Sequence, residues 1–314
     1  MLCIMDLFKE VRVMMTETVR RLNDLETTPE ALARTRAYLC ARVKNILRPN
    51  EKVLVCFTDG GPASLGGLIG DVLRECRCVP QFWGPDFRWK GLLRQAFVGS
   101  ASAVFGPPLV VLGLMKMAKV TATPLNIYNA FLAGYPYVSW MTEGIKRGLD
   151  CRIWGCYWIG DGPVIAGFTC DKEAGMHIRS DIFEARISDS LGETMEDAQR
   201  GFLTLRHKGG LTYDTQETAK IWHQPCSCGC DDPRIVETIF VGDNDPAKSA
   251  LEERFLAWSS VLDFRVTRTE CGTELELVVF PGGVLPKIES FARLTVRTWS
   301  PDTDVPFYME KYTF

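Results

Sequence analysis

Two stretches far apart in the chain, each carrying metal-ligand residue types, constrain most strongly how it can fold. FTCDKEAGMHI (168–178) offers Cys170 and His177, separated by six residues. HQPCSCGCDDPRI (223–235) offers Cys226 and Cys228, separated by one, and forty-eight residues lie between the two pairs. Thiolate and imidazole are the preferred ligands of tetrahedral zinc, and four of them with no open position describe a structural site. If the four serve one ion, the fold must carry the two stretches within a metal's reach. The spacing is not that of a standard zinc finger. His223 and Cys230 are alternative ligands by type. The competing reading makes Cys170 a small buried apolar residue and the cysteines of 226–230 loop thiols.

At 314 residues the chain is long enough to bury a full core and to divide into two unequal domains. With 46% apolar and 24% charged residues it has the make-up of an ordinary globular protein. A formal net charge of −3 and the lack of a basic run argue against nucleic-acid binding. The opening MLCIMDLFKEVRVMMTE mixes acids and bases into its apolar stretch, so it does not read as a signal peptide or a bilayer span. No membrane association is expected. Twelve cysteines without an export signal read as reduced thiols and metal ligands, which makes the cytoplasm the expected location.

Strand and helix patterns alternate through the first half. Thr28 caps a predicted helix at 26–47 with Pro29 in its first turn. Then come strand 52–57, a glycine-rich turn at 58–67, helix 68–76, strand 78–84, helix 92–97 and strand 102–106. Apolar runs at 109–118 and 125–133 read as helices, and 151–158 as a buried strand. Such alternation favours a parallel sheet covered by helices. From about 163 the pattern turns to short strands: PVIAGF, MHI, FEARI, GFLTLRH and AKIWH. After the break at 242–246 the reading is helix 247–258, strands 262–269 and 274–280, helix 284–292 and strand 294–299. The turn TDGGPASLGG does not fit the dinucleotide or P-loop fingerprints, so it reads as a tight turn into a helix, and a dinucleotide-binding oxidoreductase is disfavoured.

The words around these elements resemble the phenylacetate–CoA ligase branch of the adenylate-forming enzymes. DGPVIAGFTCDKEAGMHIRSDIFEARI (161–187) is similar to the stretch ending in Gly-Leu-His-Ile that follows that family's active-site tyrosine–glutamate motif. PCSCGCDDPRI (225–235) is similar to its Pro-Cys-x-Cys-Gly-Arg segment. CYWIGDG (156–162) resembles Tyr-Gly-x-Ser/Thr-Glu, with Tyr157 at the tyrosine and Asp161 at the glutamate. LAGYPYVSW (132–140) resembles the strand bordering adenine, retaining Gly134 and Pro136. LTYDTQETAKI (211–221) resembles Arg-Tyr-x-Thr-Gly-Asp, with Tyr213 and Thr215 retained, Gln216 at the glycine and Glu217 at the aspartate. VGDNDP (241–246) resembles the interdomain hinge, with Asp243 where the family has arginine. DVPFYMEKYTF (304–314) resembles the segment carrying the adenylation lysine, with Lys311 five residues after Pro306. The family's glycine-rich phosphate loop, expected before helix 30–47, is replaced by Glu26-Thr27-Thr28-Pro29.

The resemblance implies a truncated, divergent adenylate-forming fold. Its expected form is a layered α/β core over 1–241 and a small α+β C-terminal domain over 242–314. Within that core, residues 1–160 would be α/β and residues 161–241 strand-rich and zinc-bearing. It implies a structural zinc ion on Cys170, His177, Cys226 and Cys228. It further implies ATP-dependent adenylation of a carboxylate, with AMP-containing intermediate, magnesium at Asp161 and the α-phosphate at Lys311. Gly134, Pro136, Tyr157 and Tyr213 would border the nucleotide, Glu217 would hold the ribose, and CoA or another thiol would accept the acyl group. A homodimer, or a second polypeptide supplying the phosphate loop, is the partner it suggests. The missing loop supports the alternative of a catalytically inactive relative that serves as a zinc-stabilised scaffold for a ligand or partner.

Overall fold

The computed structural model describes residues 17–57, 60–61, 63–83, 89–133, 139–160, 162–172, 175–240, 251, 253–285, 288, 291–300 and 312–313. The chain divides into two compact units: residues 1–45, 59–75 and 154–244 form one, and residues 46–58, 76–153 and 245–314 the other. Each unit is assembled from segments remote in sequence. Among the described residues no helix is long and apolar enough to cross a membrane.

In the first unit a helix over 17–26 (α1) leads into α2 (Pro29–Val43). Thr28 ends one and starts the other: its side chain accepts from the Ala31 amide, and Pro29 follows in the first turn, where a missing N–H costs nothing. Helix α2 packs on α3 (Leu65–Glu75). Ser64 caps α3, its Oγ accepting from the Gly60 and Gly67 amides at 3.0 Å each, which starts the helix three residues earlier than its apolar pattern suggests.

The strands of this unit are β5 (Arg152–Ile159, from Trp154 onward), β6 (Val164–Thr169), β7 (Met176–Ile178), β8 (Phe183–Ser188), β9 (Arg200–His207), β10 (Thr212–Trp222) and β11 (Arg234–Phe240). They are ordered β5-β6-β7-β11-β10-β9-β8, and every neighbouring pair is antiparallel. β8 and β9 alternate buried and open residues, the signature of a sheet with one covered face.

The second unit holds the parallel strands β1 (Lys52–Val55), β2 (Val79–Phe82), β3 (Ala103–Gly106) and β4 (Asn129–Ala133), in the order β2-β1-β3-β4. Its helices are α4 (Trp89–Val98), α5 (Pro108–Val120) and α6 (Ser139–Leu149). A second sheet, β14-β13-β12-β15, comes from β12 (Val261–Thr269), β13 (Gly272–Val279), β14 (Arg293–Thr298) and β15 (Tyr312–Thr313). One apolar cluster runs from Leu54, Val104 and Leu132 through α5 to Phe264 and Leu277.

Two predicted helices are corrected. Residues 125–133 contain β4, not a helix: Ala130, Phe131, Leu132 and Ala133 are all fully buried between layers. A strand covered on both faces has a continuous apolar run, and that run has no period to separate it from a buried helix. The described residues of 284–292 are not helical, and Ala292 already donates to Thr273 as β14 begins beside β13. Pro286 within that stretch opposes a helix through its missing N–H. Of the predicted helix 247–258, residues 251 and 253–258 are described: 251 and 253–256 are helical, and the chain leaves the helix at 257.

Candidate metal centre and nucleotide-site residues

The sheet of the first unit brings the two Cys/His stretches together. His177 lies on β7, paired with Phe168 of β6 on one side and Arg234 of β11 on the other. Cys170 directly follows β6, and Cys226 and Cys228 lie in the turn that leads to β11. Gly175, at φ +106°, lets β11 approach: a Cβ there would sit 2.6 Å from the Ile235 carbonyl oxygen. Gly229, at φ +81°, closes the Cys226–Gly229 turn with a 2.9 Å bond from its amide to the Cys226 carbonyl.

The four ligand atoms lie within 4.8 Å of one another. Cys170 Sγ and Cys226 Sγ are 3.7 Å apart, and Cys228 Sγ is 3.5 Å from His177 Nε2. A tetrahedron with metal–sulfur bonds of about 2.3 Å and a metal–nitrogen bond of about 2.0 Å has edges of about 3.8 and 3.5 Å. Two of the six edges of the donor set therefore match a zinc-sized tetrahedron. His177 Nδ1 lies 3.1 Å from the Asp232 carbonyl oxygen, which can only accept, so Nδ1 carries the proton and Nε2 keeps its lone pair for a metal. Burial lowers the His177 pKa, favouring the neutral imidazole that ligation requires. Burial, followed by the neighbouring Cys226 and Cys170 thiols, pushes Cys228 up to about 12. A divalent cation would reverse that cost.

The supporting shell escaped sequence reasoning. The Asp232 carboxylate accepts from the Ser180 amide at 3.2 Å and from the Ser180 hydroxyl. Arg42, reaching from α2, donates to Cys230 Sγ at 3.3 Å and lies 4.0 Å from Asp232. Cys230 is thus held outside the quartet. His223 is also outside it, exposed and bonded to Asp197 at 2.6 Å. Arg179, fully buried, pairs with Asp181 and donates to Thr35 and the Ile165 carbonyl. The Arg-x-Asp spacing at 179–181 was its only sequence signal.

Of the predicted nucleotide residues, Tyr157, Tyr213 and Glu217 are described. Asp161, Lys311, Gly134, Pro136 and Asp243 lie outside the described residues. Tyr157 on β5 donates to Glu217 Oε2 on β10 at 2.6 Å. Burial raises the pKa of both, and for Glu217 the tyrosine bond opposes the rise. Gln216, at the family's glycine position, has φ +56° at a register shift in β10. Its amide is held by Asp214 Oδ1 at 3.0 Å, and Thr215 Oγ1 accepts from the Glu217 amide at 3.1 Å. Gln216 thus takes a left-handed bend without being glycine.

Helix α1 lies directly on the turn after β5. A Cβ on Gly160 (φ +68°) would fall 2.3 Å from Val19 Cγ1, and one on Gly162 would fall 2.5 Å from Asn23 Oδ1. At the end of α1 the buried Glu26 bonds His207 Nε2 at 3.0 Å and Arg34 at 2.8 Å.

No protein-family model and no curated protein matches the chain. Solved structures do. 2-Hydroxyisobutyryl-CoA ligase in the postadenylation state with R3-HIB-AMP superimposes with a TM-score of 0.60 at 16% identity, over 89% of this chain and 69% of that one. A benzoate CoA ligase from Burkholderia xenovorans LB400 gives 0.54 at 11% identity, covering 88% and 65%. An anthranilate CoA ligase in complex with anthranoyl-AMP gives 0.53 at 10% identity, covering 86% and 60%. The chain thus spans roughly two thirds of these relatives, and its fold is that of the adenylate-forming enzymes.

Proposed function

We propose that the protein is an acyl-CoA-synthetase-like ligase of the phenylacetate–CoA ligase kind, activating a carboxylate with ATP. The observation that supports this reading is the 2.6 Å contact between Tyr157 and Glu217, which joins two of the motifs that the family resemblance assigns to the nucleotide, on a fold shared with a ligase solved with R3-HIB-AMP. A carboxylate oxygen attacks the α-phosphorus of ATP, the bond to pyrophosphate breaks, and acyl-AMP forms. Tyr157 and Tyr213 would flank the nucleotide with Gly134 and Pro136, and Glu217 would accept from the ribose hydroxyls. Asp161 would hold magnesium, and Lys311 would offset charge on the α-phosphate. A thiol, CoA or another, then takes the acyl group with release of AMP. This reading keeps a core at 1–241 and a C-terminal domain at 242–314, and puts the protein in the cytoplasm. Cys170, His177, Cys226 and Cys228 would hold zinc, and the closed set of four leaves it structural.

Calorimetry of the metal-replete protein with ATP and magnesium, and with AMP, tests the reading. It expects binding on the order of micromolar, weakened by Glu217→Ala, and pyrophosphate release with some carboxylic acid. No binding at millimolar nucleotide refutes it.

A second reading, a non-catalytic zinc-stabilised scaffold for a ligand or partner, is favoured by helix α1. Val19 and Asn23 fill the space beside Gly160 and Gly162 where the tyrosine–carboxylate turn would face phosphates. The same calorimetry separates the two readings.

A further inference from the structure

We propose that the second unit carries a binding site for an amphipathic organic anion, with the chemistry of a medium-chain carboxylate, in the cavity bounded by α5, α6 and the turns before β12 and after β13. The inference is independent of the adenylation reading.

The cavity has a volume of about 690 Å³, within the range of small-molecule sites. Its walls are apolar and aromatic, with Met115, Trp140, Trp258 and Phe280 among them. Three large apolar side chains on its rim stay in water: Val120 is 44% exposed, Trp258 41% and Val284 74%. Isolated exposed apolar residues need no explanation, but a cluster around a concave surface does.

The charge on the cavity is one-sided. Lys116, Lys119 and Arg147 line it, and among its described lining residues there is no aspartate or glutamate. Lys119 and Arg147 lie exposed on neighbouring helices. Lys116 is 5% exposed, and its partners are neutral: the carbonyls of Leu256, Trp258 (3.1 Å) and Val261 (2.7 Å). Three carbonyl dipoles solvate an ammonium but do not cancel its charge. Burial draws its pKa down to about 7, as expected of a cation without a counter-anion among the described residues. An anion entering the cavity would supply one.

The walls are built rather than collapsed. Lys116 gathers the 256–261 segment onto α5. Bonded to that segment through Ser260, Phe280-Pro281-Gly282-Gly283 forms a tight turn closed by a 3.0 Å bond from the Gly283 amide to the Phe280 carbonyl, with Gly282 at φ +71°. Gly283 must lack a side chain, because a Cβ would lie 2.6 Å from Ser260 Cβ. Gly144 on α6 also lines the cavity, yet a Cβ there would meet nothing within 4 Å. That open space permits a clean test.

Decanoate is titrated into the full-length, metal-replete protein without nucleotide, followed by calorimetry and tryptophan fluorescence. The expected dissociation constant is on the order of 100 µM, the affinity open to a ligand of roughly a dozen heavy atoms. Gly144→Phe should weaken binding at least about tenfold while the melting temperature holds, because its Cβ meets nothing within 4 Å and the side chain occupies space the ligand needs. Lys119→Glu with Arg147→Glu should weaken decanoate about tenfold but leave decanol unchanged. No binding at millimolar decanoate, or binding unaltered in folded Gly144→Phe, overturns the site. Equal affinity for decanoate and decanol overturns its anion preference. ATP binding, measured alongside, reports separately on the adenylation reading.

Discussion

If Cys170, His177, Cys226 and Cys228 hold an ion, removing it should loosen the first unit by an amount set by the loop it closes. The two ligand pairs bracket forty-eight residues, so an ion on all four ties Met176–Ile178 to the turn before Arg234 across a loop of that size. A cross-link around a loop of about fifty residues removes about 4 kcal/mol of unfolded-chain entropy. At roughly 2–4 °C per kcal/mol for a unit of this size, that is about 8–16 °C in melting temperature. The assay is metal analysis of purified protein together with thermal melts with and without a strong chelator. One zinc per chain is expected. Cys226→Ser and Cys228→Ser should each lower metal content and melt near the chelated wild type. Exposed Cys271→Ser should change neither. Chelation also controls for packing at Cys226, which is 4% exposed: without metal, Cys226→Ser and wild type should melt within a few degrees of each other. Full metal retention in both ligand variants, or a melt untouched by chelator, would refute the reasoning.

Other perturbations address the neighbouring groups. Tyr157→Phe strips Glu217 of its 2.6 Å donor and should cost about 1–3 kcal/mol in urea unfolding, and adding Glu217→Gln should recover some of it in a double-mutant cycle. Gln216→Gly should stabilise by about 0.5–1 kcal/mol, the relief of a left-handed residue less the entropy of glycine; an unchanged denaturation midpoint would argue that the Asp214 bond already compensates. At Glu26 burial raises the carboxyl pKa, but the His207 bond and the Arg34 charge outweigh it and leave a net lowering. A carboxylate held below its unfolded value contributes stability above the ordinary glutamate range, and that contribution is lost as pH falls through the folded value. Glu26→Gln should therefore flatten the acid side of the stability profile, and an identical slope in the variant would exclude Glu26 as its source.

The Cys/His cluster was legible because its residue types are scarce and grouped: the chain has three histidines, and two of them, His177 and His223, lie within seven residues of a cysteine. Which thiols join it was not legible. Cys230 and His223 have the same chemistry as the chosen ligands, and only the contacts with Arg42 and Asp197 separate them from the cluster. Tyr157 and Glu217 stand out in the sequence by their resemblance to family motifs, but their direct bond depends on how β5 and β10 are placed in the sheet.

By itself the sequence determined the local elements whose causes are local. Thr28 and Pro29 start α2, the alternation of β8 and β9 marks a half-covered sheet, and the strand–helix rhythm of the first half points to parallel strands. The tertiary structure decided everything that depends on burial from both sides or on partners far along the chain. It made 129–133 a strand where the apolar run had no period, set α1 against Gly160 and Gly162, and left Lys116 buried among neutral carbonyls. The physical reason is common to all three. Periodicity and capping are written in a few neighbouring residues, whereas a contact energy belongs to a pair, and the second member of each pair arrives only with the fold.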